Sequence, residues 1–243
     1  MDFGKHIAHR GLHGGGVPEN SMTAFKKAIE LGLPIELDVR LTKDAKVVVL
    51  HDMRLKRMCG ADVRVCDLTY DELMKYTLAE TDEHIPLFKD VLKLVDGRVP
   101  LLVELKKGHP LGKLEKRTYH LLKQYKGEYA VQSFHPLIMF WFRLHAPEIY
   151  RGILVTVADD CEFFENISSH LGAQPFTWRF SKPDFVSCDV ELLSDKVAEV
   201  VKKMKADLYS WTINSDVLYR KAAKYSKTLI CERSDDGFDF TVK

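Results

Sequence analysis

Cysteine is scarce and scattered in this sequence: five residues in 243 (Cys59, Cys66, Cys161, Cys188 and Cys231), with no CxxC. An odd, dispersed set excludes a disulfide framework and reads as reduced thiols. A charge excess is also missing. Lys+Arg 36 against Asp+Glu 35 leaves a formal charge of +1, which gives no general pull toward nucleic acid or an anionic membrane surface. No run of about 18 apolar residues occurs, and no apolar signal core precedes or overlaps the opening MDFGKHIAHRG, so a soluble, cytoplasmic protein without membrane insertion is expected. There is no HExxH, which with the missing CxxC weighs against zinc. Neither GxxxxGK[ST] nor GxGxxG is present, so the three consecutive glycines Gly14, Gly15 and Gly16 carry no nucleotide signature.

What is present is a chain that is 46% hydrophobic, enough to bury a full core, with no linker composition; one domain over 1–243 is expected. Buried-type strands fall over 6–10, 100–106, 129–134, 150–155, 184–189, 208–212 and 228–231. Helices are expected over 88–95, 113–124, 136–145, 195–205 and 217–225, with a helical piece near 162–171. A further helix follows Asn20 or Ser21, either of which can cap it, and Gly32 supplies its stop. Residues 53–83 break this rhythm and read as an insertion, with a short helix over 70–76. Strand–helix alternation repeated about eight times argues for a parallel α/β sheet. An open doubly wound sheet would satisfy the alternation. A closed (β/α)8 TIM barrel also explains why His9, Arg10, Glu36, Asp38, Glu104, Lys106, Ser133, Trp211 and Asn214 all fall at or near C-terminal strand ends, where barrels build their sites.

The stretch 34–52, PIELDVRLTKDAKVVVLHD, is the most informative. Ile35, Leu37 and Val39 alternate with Glu36, Asp38 and Arg40, the period of a strand. The apolar run from Val47 to Leu50 follows too soon for a parallel crossover, so the chain folds back as a hairpin. With the turn centred on Asp44-Ala45, Asp38 is expected opposite His51, which carries Asp52 beside it.

Glu36, Asp38 and Glu104 on neighbouring strands would repel one another unless something positive joined them. Lys106 and Arg40 could do this in a structural network. A hard divalent cation would do it too, and all-oxygen ligands favour Mg²⁺ or Ca²⁺, with Mn²⁺ a further candidate. His9 and His51 border the same site and could divide general acid and general base work. Arg10 and Lys106 offer fixed positive charge for phosphate oxygens. Together these parts describe metal-assisted cleavage of a phosphate ester.

HRG, PENS and AF between Arg10 and Phe25, ELDV–T–D–V–HD from Glu36 to Asp52, ELK at Glu104 and WTIN at Trp211 closely resemble the glycerophosphodiester phosphodiesterase family. The resemblance implies a TIM barrel with a small insertion after the second strand, and hydrolysis of glycerophosphodiesters to glycerol 3-phosphate and an alcohol. It implies Glu36, Asp38 and Glu104 as metal ligands, His9 and His51 as the acid–base pair, and Arg10 and Lys106 as phosphate contacts. Trp211 would line the substrate site, and Glu19 and Asn20 would brace a loop. The chain departs from the pattern at Ala45, where the hairpin usually has glycine, and at Cys231-Glu232, where the family has Thr-Asp. These departures are expected to bear on the far rim and the seam, not on the catalytic set, and the last barrel helix is expected to be reduced or missing. Two rivals stand beside this reading. One is phospholipase-D-like or phospholipase-C-like cleavage of lysophospholipid or phosphoinositide head groups, with the aromatic stretches 134–142 and 176–180 meeting an acyl chain. The other is a non-catalytic barrel that binds a phosphodiester.

Overall fold

In the computed structural model, which describes residues 1–156 and 180–243, the chain forms nine strands among the described residues. They are β1 (His6–Ala8), β2 (Ile35–Leu41), β3 (Val47–Val49), β4 (Leu101–Leu105), β5 (Tyr129–Ser133), β6 (Arg151–Val155), β7 (Phe185–Asp189), β8 (Asp207–Ile213) and β9 (Thr228–Cys231). All but β3 run parallel, in the ring order β1-β2-β4-β5-β6-β7-β8-β9. β1 pairs with β9 on one side and with β2 on the other, which closes a (β/α)8 TIM barrel and excludes the open sheet. Described helices are α1 (Met22–Glu30), α2 (Lys56–Cys59), α3 (Tyr70–Leu73), α4 (Phe88–Val95), α5 (Lys113–Leu122), α6 (Pro136–His145), α7 (Asp195–Lys203) and α8 (Asp216–Ala222). The helical piece expected near 162–171 and Cys161 lie outside the described residues. None of the described helices is long and apolar enough to cross a membrane.

The alternation of each strand sorts side chains between two environments. On β2 and β4, Ile35, Leu37, Val39, Leu101, Val103 and Leu105 face the helices in the main core. The other set points into the barrel. Its lower part is apolar, filled by Ile7, Leu102, Ala130, Phe185, Tyr209 and Ile230 with Phe3 beneath. Higher up come Glu36, Asp38, Glu104, Gln132 and Ser187, all buried. Ser187 Oγ donates to Gln132 Oε1 across the interior at 2.8 Å. The interior is therefore a greasy plug that supports a polar floor.

Gly152 lets the plug form. A Cβ there would meet three ring atoms of Phe185 at 2.1, 2.3 and 2.5 Å, and that ring stacks on Tyr209 at 4.6 Å and on Tyr150 at 5.2 Å, so it has nowhere to move. Gly152→Ala is expected to cost about 1–3 kcal/mol through overpacking. Urea unfolding of the two proteins measures this, and an unchanged midpoint would contradict the packing described.

The β2–β3 hairpin corrects the expected register by one residue. Val39 pairs with Val49 and Leu41 with Val47, and the Leu50 amide donates to the Asp38 carbonyl, so Leu50 and not His51 stands opposite Asp38. The turn is centred on Asp44 because Thr42 grips both ends: its hydroxyl donates to Asp44 Oδ1 at 2.6 Å and accepts the Lys46 amide at 2.9 Å. Ala45 sits at φ +59, the left-handed conformation glycine would take more easily. His51 then follows the end of the ladder.

Residues 53–87 are an excursion with a core of its own, in which Leu55, Met58, Val65, Leu73, Leu78 and Ile85 pack on Val48 and Leu50. α3 begins in a capping box between Thr69 and Glu72 and is shorter than the 70–76 expected. Past β9 the chain forms the short 3-10 turn Phe240–Val242.

Candidate active site

The C-terminal ends of the strands open into a cavity of about 660 Å³. Asp38 and Glu104 are direct register partners on β2 and β4, and Glu36 stands two residues earlier on the same inward face. One oxygen from each of the three lies within 4.8 Å of the others, and the side chains are almost fully buried. Lys106 Nζ reaches over them, 3.0 Å from Asp38 Oδ1 and 2.5 Å from Glu104 Oε1. Arg10 approaches from β1, its amide donating to Glu36 Oε2 at 3.1 Å and its Nε standing 3.5 Å from Asp38 Oδ2.

These neighbours divide the carboxylates. Burial, reinforced by Asp38 and Glu104, pushes the Glu36 pKa well above the ordinary range. Burial acts the same way on Asp38, but Lys106, His51, Arg10 and His9 outweigh it and hold that carboxyl well below its usual value. Burial pulls Lys106 down, and Asp38 and Glu104 more than reverse it. Glu36 Oε1 is buried with no hydrogen-bond partner. A buried oxygen left unmatched between two like charges fits a divalent cation, and three carboxylates suit a hard one.

Arg40 feels the charge of Asp38 and Glu104 but makes no ion pair with this cluster; its hydrogen bonds go to backbone. Its Nε and Nη2 donate to the His51 carbonyl at 2.9 and 2.5 Å, and Nη1 donates to the Lys107 carbonyl at 3.0 Å. It fixes the backbone that carries His51 against the loop after β4.

His9, at the end of β1, has Nε2 3.8 Å from Glu36 Oε2, and its Nδ1 is hydrogen-bonded to Glu232 Oε1. Burial is the main influence lowering its pKa, opposed by Glu232. His51 is arranged similarly, with Nδ1 2.7 Å from Asp52 Oδ1. A carboxylate at Nδ1 holds the proton there and leaves Nε2 as the basic ring nitrogen. Asp52 is tied to Arg57 (Nε to Oδ2, 2.8 Å), Arg57 to Glu19 (Nη2 to Oε1, 2.7 Å), and Glu19 to Arg10 (2.8 Å). One charged chain thus braces His51 against Arg10.

Of the two capping candidates, Ser21 takes the role on α1, accepting the Ala24 amide at 3.1 Å. Asn20, at φ +55, instead turns Nδ2 onto Asp38 Oδ2 at 2.8 Å. Trp211 lines the cavity, with Nε1 donating to the Ser187 carbonyl at 3.0 Å and its ring edge-on to Phe134 at 5.5 Å. Ser133 also lines it, its hydroxyl donating to the Leu105 carbonyl. Asn214 is exposed beyond β8 and is not among the lining residues.

Glu232 overturns the expectation that the Cys231-Glu232 departure stays clear of this set. It touches His9 directly, and His13 Nε2 lies 3.7 Å from the same oxygen. Its place just past β9 is a usable signal, since His9, Glu104 and Lys106 also stand at or just past the C-terminal ends of parallel strands. Arg57, inside the insertion, had no such signal.

Fold and rim together make this a (β/α)8-barrel enzyme. The model of the glycerophosphoryl diester phosphodiesterase family matches residues 9–232, and the chain belongs to that family. YhdW of Bacillus subtilis, itself named only provisionally as a glycerophosphodiester phosphodiesterase, is 33% identical over 98% of this chain and 96% of its own length. The rat lysophospholipase D GDPD1 is 38% identical, over 51% of this chain and 43% of that protein. Among solved structures, an Oleispira antarctica phosphodiesterase in complex with the product sn-glycerol-3-phosphate superimposes with a TM-score of 0.80 at 21% identity, covering 93% of this chain and 92% of that one.

Proposed function

We propose that this protein hydrolyses glycerophosphodiesters to glycerol 3-phosphate and an alcohol, using a divalent cation held by Glu36, Asp38 and Glu104. The observation that carries the reading is the unmatched buried oxygen of Glu36 beside two histidines, each with a carboxylate on Nδ1. When bound, Mg²⁺ or Ca²⁺ supplies Lewis-acid polarisation of the phosphoryl group. Arg10 and Lys106 bind phosphate oxygens and share the charge that builds in the transition state. One of His9 and His51 takes at Nε2 the proton of the nucleophile, either water or the glycerol C2 hydroxyl, and the other gives a proton to the leaving alkoxide; in the second case water then opens the cyclic phosphate to glycerol 3-phosphate. Glu232 and Asp52 keep each ring in the tautomer this exchange needs and stabilise it when charged. Trp211 and Phe134 close one side of the site around the substrate. The substrate is a small soluble diester met in the cytoplasm, and the single barrel with its 53–87 excursion is the working unit.

Lysophospholipid is the second substrate reading. It is favoured by Met53, 44% exposed and lining the cavity, and by the partial match to a protein named as a lysophospholipase D. Both are tested by assaying glycerophosphodiesters and micellar lysolipid in EDTA, then with Mg²⁺, Mn²⁺ or Ca²⁺ restored. The expected result is chelator-sensitive release of glycerol 3-phosphate from the soluble esters. Turnover of lysolipid alone would shift the assignment to the second reading. Full turnover in EDTA, or none with any cation, would overturn the first.

A further inference from the structure

Among the described residues, the lysine and arginine side chains of the cavity stand on one side of it. These residues, Arg10, Arg40, Lys106 and Lys107, lie just past β1, on β2 or just past β4. In the ring order β7 is four strands from β2 in either direction, directly across the barrel from Glu36 and Asp38. There the lining residue is Asp189, the last residue of β7. Its carboxylate is fixed: Oδ2 accepts the Thr156 hydroxyl at 2.8 Å, and Oδ1 accepts the Glu191 amide at 3.0 Å. Both donors are neutral. No described lysine, arginine or histidine forms an ion pair with it, so its negative charge faces the cavity uncompensated among the described residues.

Beside it stands an aromatic surface. Trp211 is the backbone register partner of Asp189 on β8, and its indole is pinned by the Ser187 carbonyl and packed edge-on against Phe134. A fixed carboxylate next to a tryptophan face recognises an organic cation, through Coulomb attraction and through the quadrupole of the ring. A phosphodiester whose phosphate is drawn to Arg10 and Lys106 would direct one ester arm across the cavity toward this pair.

We propose that Asp189, with Trp211, forms a leaving-group subsite for cationic amino alcohols, and that it makes the enzyme prefer diesters carrying an ammonium group over those of neutral alcohols. This rests on the diesterase reading above and specifies its substrate class. Arg10, Lys106 and the proposed cation on the phosphate side, with Asp189 on the leaving-group side, together favour a zwitterionic diester bound in one orientation, with glycerol kept near the carboxylate triad.

The test is kcat/KM for glycerophosphocholine relative to glycerophosphoglycerol, in the wild type and in Asp189→Asn. The wild-type ratio is expected to be about tenfold or more in favour of the cationic ester, falling toward one in the variant, as expected from the worth of a desolvated cation contact. A second measurement needs no variant: inhibition of the wild type by choline against 3,3-dimethylbutanol, which has the same shape without the charge. Choline is expected to inhibit about tenfold more strongly. Equal turnover of the two esters, a ratio unmoved in Asp189→Asn, or equal inhibition by the two alcohols would overturn the subsite while leaving the diesterase reading intact. Hydrolysis of neither ester by folded, cation-loaded protein would overturn the diesterase reading and the subsite with it.

Discussion

Replacing His9 or His51 with alanine is expected to lower kcat by about 10²–10⁴-fold, the usual worth of a positioned general acid or base. Neither imidazole is a ligand in the proposed cation set, so affinity for the cation should change little. The two losses should not multiply in the double variant, because removing either partner already breaks the same proton exchange. Conservative changes to the carboxylates behind the rings give a graded control. Glu232→Gln keeps a group of similar size at His9 Nδ1 and removes its charge, so it should cost less than His9→Ala. Steady-state kinetics alongside calorimetric titration of the cation separates chemistry from binding. If both alanine variants kept near wild-type turnover, the assignment of acid and base to these residues would be wrong.

Lys106→Met is expected to have the largest effect on the protein without cation. Lys106 is buried between Asp38 and Glu104, so its removal leaves carboxylates facing one another with less compensation. Breaking a buried ion pair by deleting one partner costs about 3–5 kcal/mol. Thermal unfolding in EDTA should therefore show a clear fall in Tm relative to the wild type. A divalent cation that binds only the folded state should restore much of it, since about 2.7 kcal/mol is available at a hundredfold excess over Kd. Turnover should remain low even with cation present, because a phosphate contact is gone. This variant also separates the two ways of neutralising the cluster. A network completed by lysine alone predicts destabilisation with no rescue by Mg²⁺ or Ca²⁺.

The central part of the site was legible because a barrel strand has an inside and an outside. Alternation on Ile35–Leu41 put Glu36 and Asp38 on one face, and strand order by itself brought Glu104 alongside. His9 and Lys106 followed from the rule that barrel sites gather at C-terminal strand ends. What escaped was what periodicity does not encode. The hairpin register depends on a side chain, Thr42, hydrogen-bonding across its own turn. Glu232 meets His9 only because the last strand closes against the first, a pairing 223 residues apart in the chain. Arg57 reaches Glu19 and Asp52 from an excursion built of one-turn helices, too short to show a helical period. Arg40 has the charge to join the carboxylates, and backbone carbonyls occupy it instead.

Everything proposed for catalysis depends on one cation being shared by Glu36, Asp38 and Glu104. Calorimetric titration of Mg²⁺, Ca²⁺ or Mn²⁺ into chelator-treated protein measures this directly, in the wild type and in Glu36→Gln, Asp38→Asn and Glu104→Gln. One ion bound per chain is expected, with affinity at least about tenfold weaker in each of the three variants and retained in His9→Ala and His51→Ala. Binding of undiminished strength in the carboxylate variants, or no binding by the wild type, would contradict it.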